Sequence, residues 1–139
     1  MAHRAIVSLT QTNGFNIERS DLETSKGLLI MTMLSMQVIS KILTLHISSK
    51  KAEPEPIGDM IEEDEHECLK ILNKKYQGRT VRQKNPYPTD SLQWLYWIIA
   101  RMGGWKPHEK QAGVITLFRG WTRFQNVYDG YKLSRLLVS

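Results

Sequence analysis

Residues 91–105, SLQWLYWIIARMGGW, and residues 115–131, ITLFRGWTRFQNVYDGY, decide the fold of this chain. In the first stretch Leu92, Leu95, Ile99 and Met102 recur at helical spacing, and Trp94 and Ile98 widen the stripe. Asp90, or Thr89 before it, stands where a side chain can accept from the free N–H groups of a helix start. Gly103 and Gly104 end the pattern, because glycine takes up the left-handed backbone that a helix terminus uses. In the second stretch Leu117, Trp121, Phe124, Tyr128 and Tyr131 repeat at steps of four and three, which places them on one helix face. Arg119, Arg123 and Arg135 lie beside or opposite that face. The spacing predicts two amphipathic helices, near 90–103 and 113–136, paired antiparallel with Trp97 and Trp121 buried between them.

Upstream, charge is sorted along the chain. Residues 53–67 hold eight acids and no Lys or Arg, whereas residues 70–84 hold Lys70, Lys74, Lys75, Arg79, Arg82 and Lys84 and no acid. A helix near 61–76 is predicted, acidic at its start and basic at its end, an order that complements the helix dipole. The same cations have a second reading. Lys74, Lys75, Arg79, Arg82 and Lys84 on an exposed segment would give salt-sensitive, sequence-blind affinity for DNA. KKAEPEPIG before the acidic run and NPYPTD after the basic one mark the region 48–88 as a charged linker between apolar flanks.

The largest apolar element runs from Asp21 to about Ser48. GLLIMTMLSMQVIS gives 14 residues without charge before Lys41, short of the about 20 that a membrane span needs. Apolar residues occur on every side of this helix, so neighbours or another domain should bury it. With 139 residues, 41% of them hydrophobic, the chain has room for one modest core. The fold class expected is all-α: a small helical domain with a long N-terminal apolar helix and a C-terminal antiparallel helix pair. A single cysteine, Cys68, excludes an internal disulfide and suits a reducing cytoplasm. The net charge of +5 permits contact with polyanions without demanding it.

Catalytic and metal constellations are weak. His66 and Cys68 sit only two residues apart within the acidic run, so a helix directs them differently. His3, His46 and His108 lack partners at ligand spacing, and Cys68 lacks a local nucleophile signature. No catalytic residue and no metal ligand is expected.

SLQWLYWIIARMGGW, then TLFRGWTRF and YDGYKL, resembles the C-terminal domain of bacterial DDE transposases of the IS-four family, Tn-five type. The likeness is carried by Ala100, Arg101, Gly103, Gly104, Gly120, Trp121 and Gly130 with their spacing. TNGFNIERSDLETSKGLL, beginning at Thr12, is similar to the family stretch that leads into its long apolar helix. Such enzymes use three carboxylates on an RNase H-like core to hold two metal ions. Aligned through Thr12, Asn13 and Gly14, the family's glutamate position falls on Ala5, and its two aspartates have no counterpart in this chain.

The resemblance therefore implies a fragment without the catalytic core. Residues 1–20 would be a degenerate remnant of the catalytic-domain end, and 21–139 the helical C-terminal domain. Its function would be dimerisation in DNA transposition, in the bacterial cytoplasm at the nucleoid, catalytically inactive alone. The Mg²⁺ used by the full-length family would have no site here, and no other cofactor is expected. The alternative is a small non-specific DNA-binding protein acting through the strip 70–84. The partners implied are a second copy in a weak homodimer or a full-length transposase, with DNA possible and no membrane. Val127, Gly130, Leu133, Ser134 and Leu137 form a second stripe on the last helix, small enough at Gly130 and Ser134 for two helices to approach closely.

Overall fold

The computed structural model describes residues 19–138; the expectations for Ala5, Thr12–Gly14 and the rest of the chain before Arg19 lie outside the described residues. Among the described residues four α-helices follow one another: α1 (Arg19–Ser48), α2 (Glu63–Tyr76), α3 (Leu92–Met102) and α4 (Val114–Val138). Short 3-10 turns occupy Gly58–Met60 and Val81–Gln83. The only extended pairing among the described residues is an isolated antiparallel bridge between Pro56 and Ser91. The chain is all-α, as the apolar spacing predicts.

The chain divides into two compact units, with the boundary inside α1 at Val38 and Ile39. In the first unit, residues 21–37 are exposed on every helical face, including Leu28, Leu29, Ile30, Met31, Met33, Leu34 and Met36. Of the two covers expected for this helix, neighbours or another domain, the described residues supply none over this half. By length and composition alone, Asp21–Ser48 is apolar enough to cross a membrane. The second unit begins with the last turns of α1, where Ile42 and Leu45 are fully buried.

α3 is the centre of the second unit. Every residue from Leu92 to Ala100 is buried, and so is Met102. The amphipathic stripe read from the sequence is therefore too narrow, because this helix is covered all round. Its two long polar side chains survive burial by finding carbonyls. Gln93 donates through Nε2 to Ser48 O at 3.1 Å and Glu53 O at 2.9 Å, and its Oε1 accepts from Glu55 N at 3.0 Å. Arg101 donates to Trp105 O at 3.1 Å and Tyr76 O at 3.2 Å.

The ends of α3 follow from specific residues. Ser91, not Asp90 or Thr89, caps its start, the hydroxyl accepting from Trp94 N at 3.1 Å. Asp90 instead takes a left-handed backbone with φ of 70°, tolerable for Asp, and its carboxylate meets His66 Nδ1 at 3.0 Å. At the other end Gly104, with φ of 100°, is the left-handed residue, while Gly103 remains right-handed. Trp105 N donates to Ala100 O and Gly104 N to Arg101 O, the paired bonds of a Schellman stop.

α3 and α4 run antiparallel and touch backbone to backbone. A β-carbon on Gly120 would collide with the carbonyl of Ile99, and one on Gly103 with the carbonyl of Thr116. Two glycines thus let the helix axes approach more closely than any side chain permits. On either side of this crossing α4 buries Leu117, Trp121, Phe124 and Tyr128, with Tyr131 half-buried, matching the predicted stripe. Trp97 and Trp121 are both buried. Arg101 lies over the rings of both Trp97 and Tyr76, and Lys41 over Trp121, so the two indoles also face α2 and α1. Arg123 donates to Met102 O at 2.8 Å and Arg119 to Gly103 O at 3.4 Å. The arginines beside the apolar stripe thus serve the open carbonyls at the end of α3.

The charged region around 48–88 contributes to the core as well as connecting it. Leu92 N donates to Glu55 O at 2.7 Å, and Ile57 and Ile61 are buried. α2 opens with a reciprocal capping box between Glu62 and Glu65 and buries Glu65, Cys68, Leu69 and Leu72. Its first turn is acidic and its last turn carries Lys74 and Lys75, the dipole-complementing order.

Two glycines of α4 should respond oppositely to alanine. Gly120→Ala drives a methyl group into backbone and should cost about 3 kcal/mol by denaturant unfolding. Gly130 has open space around it, and Gly130→Ala should stabilise by about 0.5–1 kcal/mol through helix propensity. Equal responses would rule out the close crossing.

Candidate functional site

The five residues of the expected DNA strip are exposed. Lys74 and Lys75 occupy the last turn of α2, Arg82 lies in the turn Val81–Gln83, and Arg79 and Lys84 flank it. This turn is held by its own capping box, Thr80 with Gln83, and Gly78 N donates to Gln83 O at 3.0 Å. Asn85 closes the segment onto the core. It donates through Nδ2 to Asn73 Oδ1 at 3.0 Å and Trp94 O at 3.2 Å, and its backbone N donates to Gln77 Oε1 at 3.0 Å. The strip is thus a fixed surface, with its cations on ordered turns.

α2 and α3 end close together, because Arg101 near the end of α3 donates to the carbonyl of Tyr76 at the end of α2. A groove of about 390 Å³ opens there, lined by Thr80, Arg82, Gln83, Arg101, Lys106, Pro107 and His108. Three permanent cations line it and no carboxylate does. Sequence reading found Arg82 but missed Arg101, Lys106 and His108 as its companions. Lys106 and His108 lie more than twenty positions along the chain, on the α3–α4 loop. The usable signal was the pair of helix C-termini: both ends gather cations, and cations from two such ends can share one surface.

The five residues of the expected association stripe, Val127, Gly130, Leu133, Ser134 and Leu137, are all exposed on α4. The neighbouring face of that helix end is tied down. Arg135 meets Glu67 at 3.3 Å and Asp64 at 3.5 Å, and Tyr131 donates to Glu67 at 3.2 Å. These contacts are exposed and each contributes little, but they orient the helix. A second shallow depression on α4, between Ile115, Phe118, Arg119, Thr122 and Arg123, is mainly apolar.

Among the described residues, the acidic start of α2 included, no group of three His, Cys, Asp or Glu side chains is placed to hold an ion. His66 stacks on Trp94 with ring centroids 6.0 Å apart and pairs with Asp90. Cys68 is buried, and burial first, then the nearby Glu65 carboxylate, raises its thiol above the usual range. Tyr96 is likewise raised by burial, and its hydroxyl accepts from Ala112 N at 2.8 Å, fixing the approach to α4.

The arrangement comprises a basic groove, an uncovered helix edge and an uncovered apolar helix. No protein-family model matches the chain, so the transposase likeness rests on the residues quoted above.

The raised, buried thiol has a direct consequence. A thiol with an elevated pKa has less thiolate at neutral pH. Native Cys68 should react with an alkylating reagent at least tenfold more slowly than the same chain in denaturant at pH 8. Fast labelling in the folded state would contradict the burial.

Proposed function

We propose that the chain is the C-terminal helical module of a bacterial DDE transposase of the IS-four type. It is inactive in catalysis by itself and works by associating with a second copy or with an intact transposase, in the cytoplasm at the nucleoid. One observation supports this above others: where the resembling residues fall. Gly103 and Gly120 give the two closest approaches of the α3–α4 crossing, Gly104 stops α3, and Ala100 and Trp121 are buried beside it. A motif made of residues that packing demands speaks for a shared fold, and carries no chemistry with it. Gly130 is the exception in that motif, since open space surrounds it. Packing within this chain gives no reason for glycine there, whereas a second helix lying against Gly130 and Ser134 does.

The uncovered half of α1 supports the same reading. Its apolar surface suits a helix that another protein domain encloses. Lys41 interrupts the apolar run, and the reading assigns that surface to protein, although the helix is long and apolar enough to cross a bilayer. Neither Mg²⁺ nor another cofactor has a role in this module. A second reading, a plain DNA-binding protein, is favoured by the cations converging on the groove beside Arg82.

A single helix edge buries less than a standard interface, so dimers should be weak and concentration-dependent. Sedimentation velocity over a wide concentration range should show a monomer–dimer equilibrium. Ser134→Arg should abolish it while the helical circular dichroism stays unchanged. If that variant associates as the parent does, the α4 edge is not the interface.

The purified chain should neither cleave nor join DNA with Mg²⁺ or Mn²⁺. Metal-dependent cleavage that disappears when one acid of this chain is replaced would overturn the inactive assignment.

A further inference from the structure

We infer that the groove between the Val81–Gln83 turn and the Lys106–His108 loop is a binding site for the phosphate backbone of DNA, with Arg101 as its fixed anchor. The inference deepens the reading of the chain as part of a DNA-handling protein and rests on it. Four observations carry it.

The first is charge: Arg82, Arg101 and Lys106 line a single groove without an opposing carboxylate, and His108 adds an imidazole N–H. The second is the state of Arg101. Its guanidinium is clamped by the carbonyls of Trp105 and Tyr76 and lies 5.7 Å from the Trp97 ring and 5.9 Å from the Tyr76 ring. A guanidinium held this way has already lost its rotamer freedom, so an anion pairing with it incurs little further ordering cost. Its Nε is buried and has no hydrogen-bond partner among the described residues, so the side chain is fixed from within.

The third observation is size. About 390 Å³ of open groove accommodates a phosphate with its sugar. The fourth decides between a lone phosphate and a chain of them. Lys74, Lys75, Arg79 and Lys84 stand exposed on the α2 end and on the turn that form the groove's surroundings. A single phosphate leaves these cations unused. A polyanion with repeated charges along a backbone uses the groove and then the strip, releasing counterions at each contact.

The groove residues Arg82 and Lys106 are exposed, so their removal leaves the core intact. The test is fluorescence anisotropy with a labelled duplex of about 20 base pairs, below the concentration of self-association and at several salt concentrations. Arg82→Ala with Lys106→Ala should weaken binding about tenfold near 100 mM salt and lower the slope of log K against log salt by about two. Lys26→Ala with Lys50→Ala removes the same charge from exposed positions that lie outside both the groove and the strip, and should change affinity less than threefold. Equal losses from the two pairs would mean bulk attraction and would overturn the site. So would DNA binding that neither pair weakens. Millimolar inorganic phosphate should compete only weakly; full competition at that level would make the ligand a lone phosphate. Binding to anionic phosphatidylglycerol vesicles that the groove pair abolishes, with no DNA binding, would assign the groove to a lipid headgroup and overturn the inference. Failure to bind DNA at all would overturn it too, while the monomer–dimer equilibrium by sedimentation would still report separately on the association reading.

Discussion

The close passage of α4 over the end of α3 is the constraint from which the second unit follows. At Gly120 the helix backbone rests against the Ile99 carbonyl, and at Gly103 the same happens with Thr116. With no side chain between the axes, the neighbouring positions must carry large groups to fill the widening space on both sides. That is what Trp97, Trp121, Phe124 and Tyr128 do. The proximity also exposes the last carbonyls of α3 to α4, and Arg119 and Arg123 answer them. Packing and polar satisfaction therefore meet at one crossing, and neither would hold if the axes stood further apart.

Around that crossing the chain solves a polar problem. α3 is buried on all sides, so a loop laid against it must bring its own unsatisfied backbone groups into a dry region. Gln93 resolves this with one amide that serves Ser48, Glu53 and Glu55 at once. The charged stretch after α1 is fixed as a result, and Leu92 N to Glu55 O completes the join. Removing the Gln93 amide would leave three backbone groups without partners, each worth about 1–3 kcal/mol when buried.

Much of this was legible in the sequence, for physical reasons that differ by element. The Leu117–Tyr128 stripe, the glycine stop and the acid-to-base order of α2 are local patterns, written in consecutive residues. What the sequence concealed depends on contacts distant along the chain. Asp90 reads as a helix cap, yet His66, 24 positions earlier, draws its carboxylate away and Ser91 takes the role. α3 reads as amphipathic because Gln93 and Arg101 are polar, and only the carbonyls they meet reveal that those sides are buried too. The groove was half visible: Arg82 belongs to a charge run, whereas Lys106 and His108 join it through the meeting of two helix ends. The α4 edge and the strip were readable as exposed surface, but no local pattern says what covers them.

The connection between α3 and α4 is tied down by its own hydrogen bonds. Trp105 Nε1 bonds to Lys110 O and Ala112 N to the Tyr96 hydroxyl, so the loop closes on itself before α4 begins. Between them Glu109 N donates to Lys106 O at 2.9 Å, and the side chains of His108 and Glu109 are exposed. The chain therefore separates the groups that hold the loop from side chains that only face outward. Replacements and even added residues at this tip leave the crossing untouched while altering the rim of the groove. Recognition can diversify there at almost no cost to folding, which gives this small scaffold one site where sequence is cheap to change.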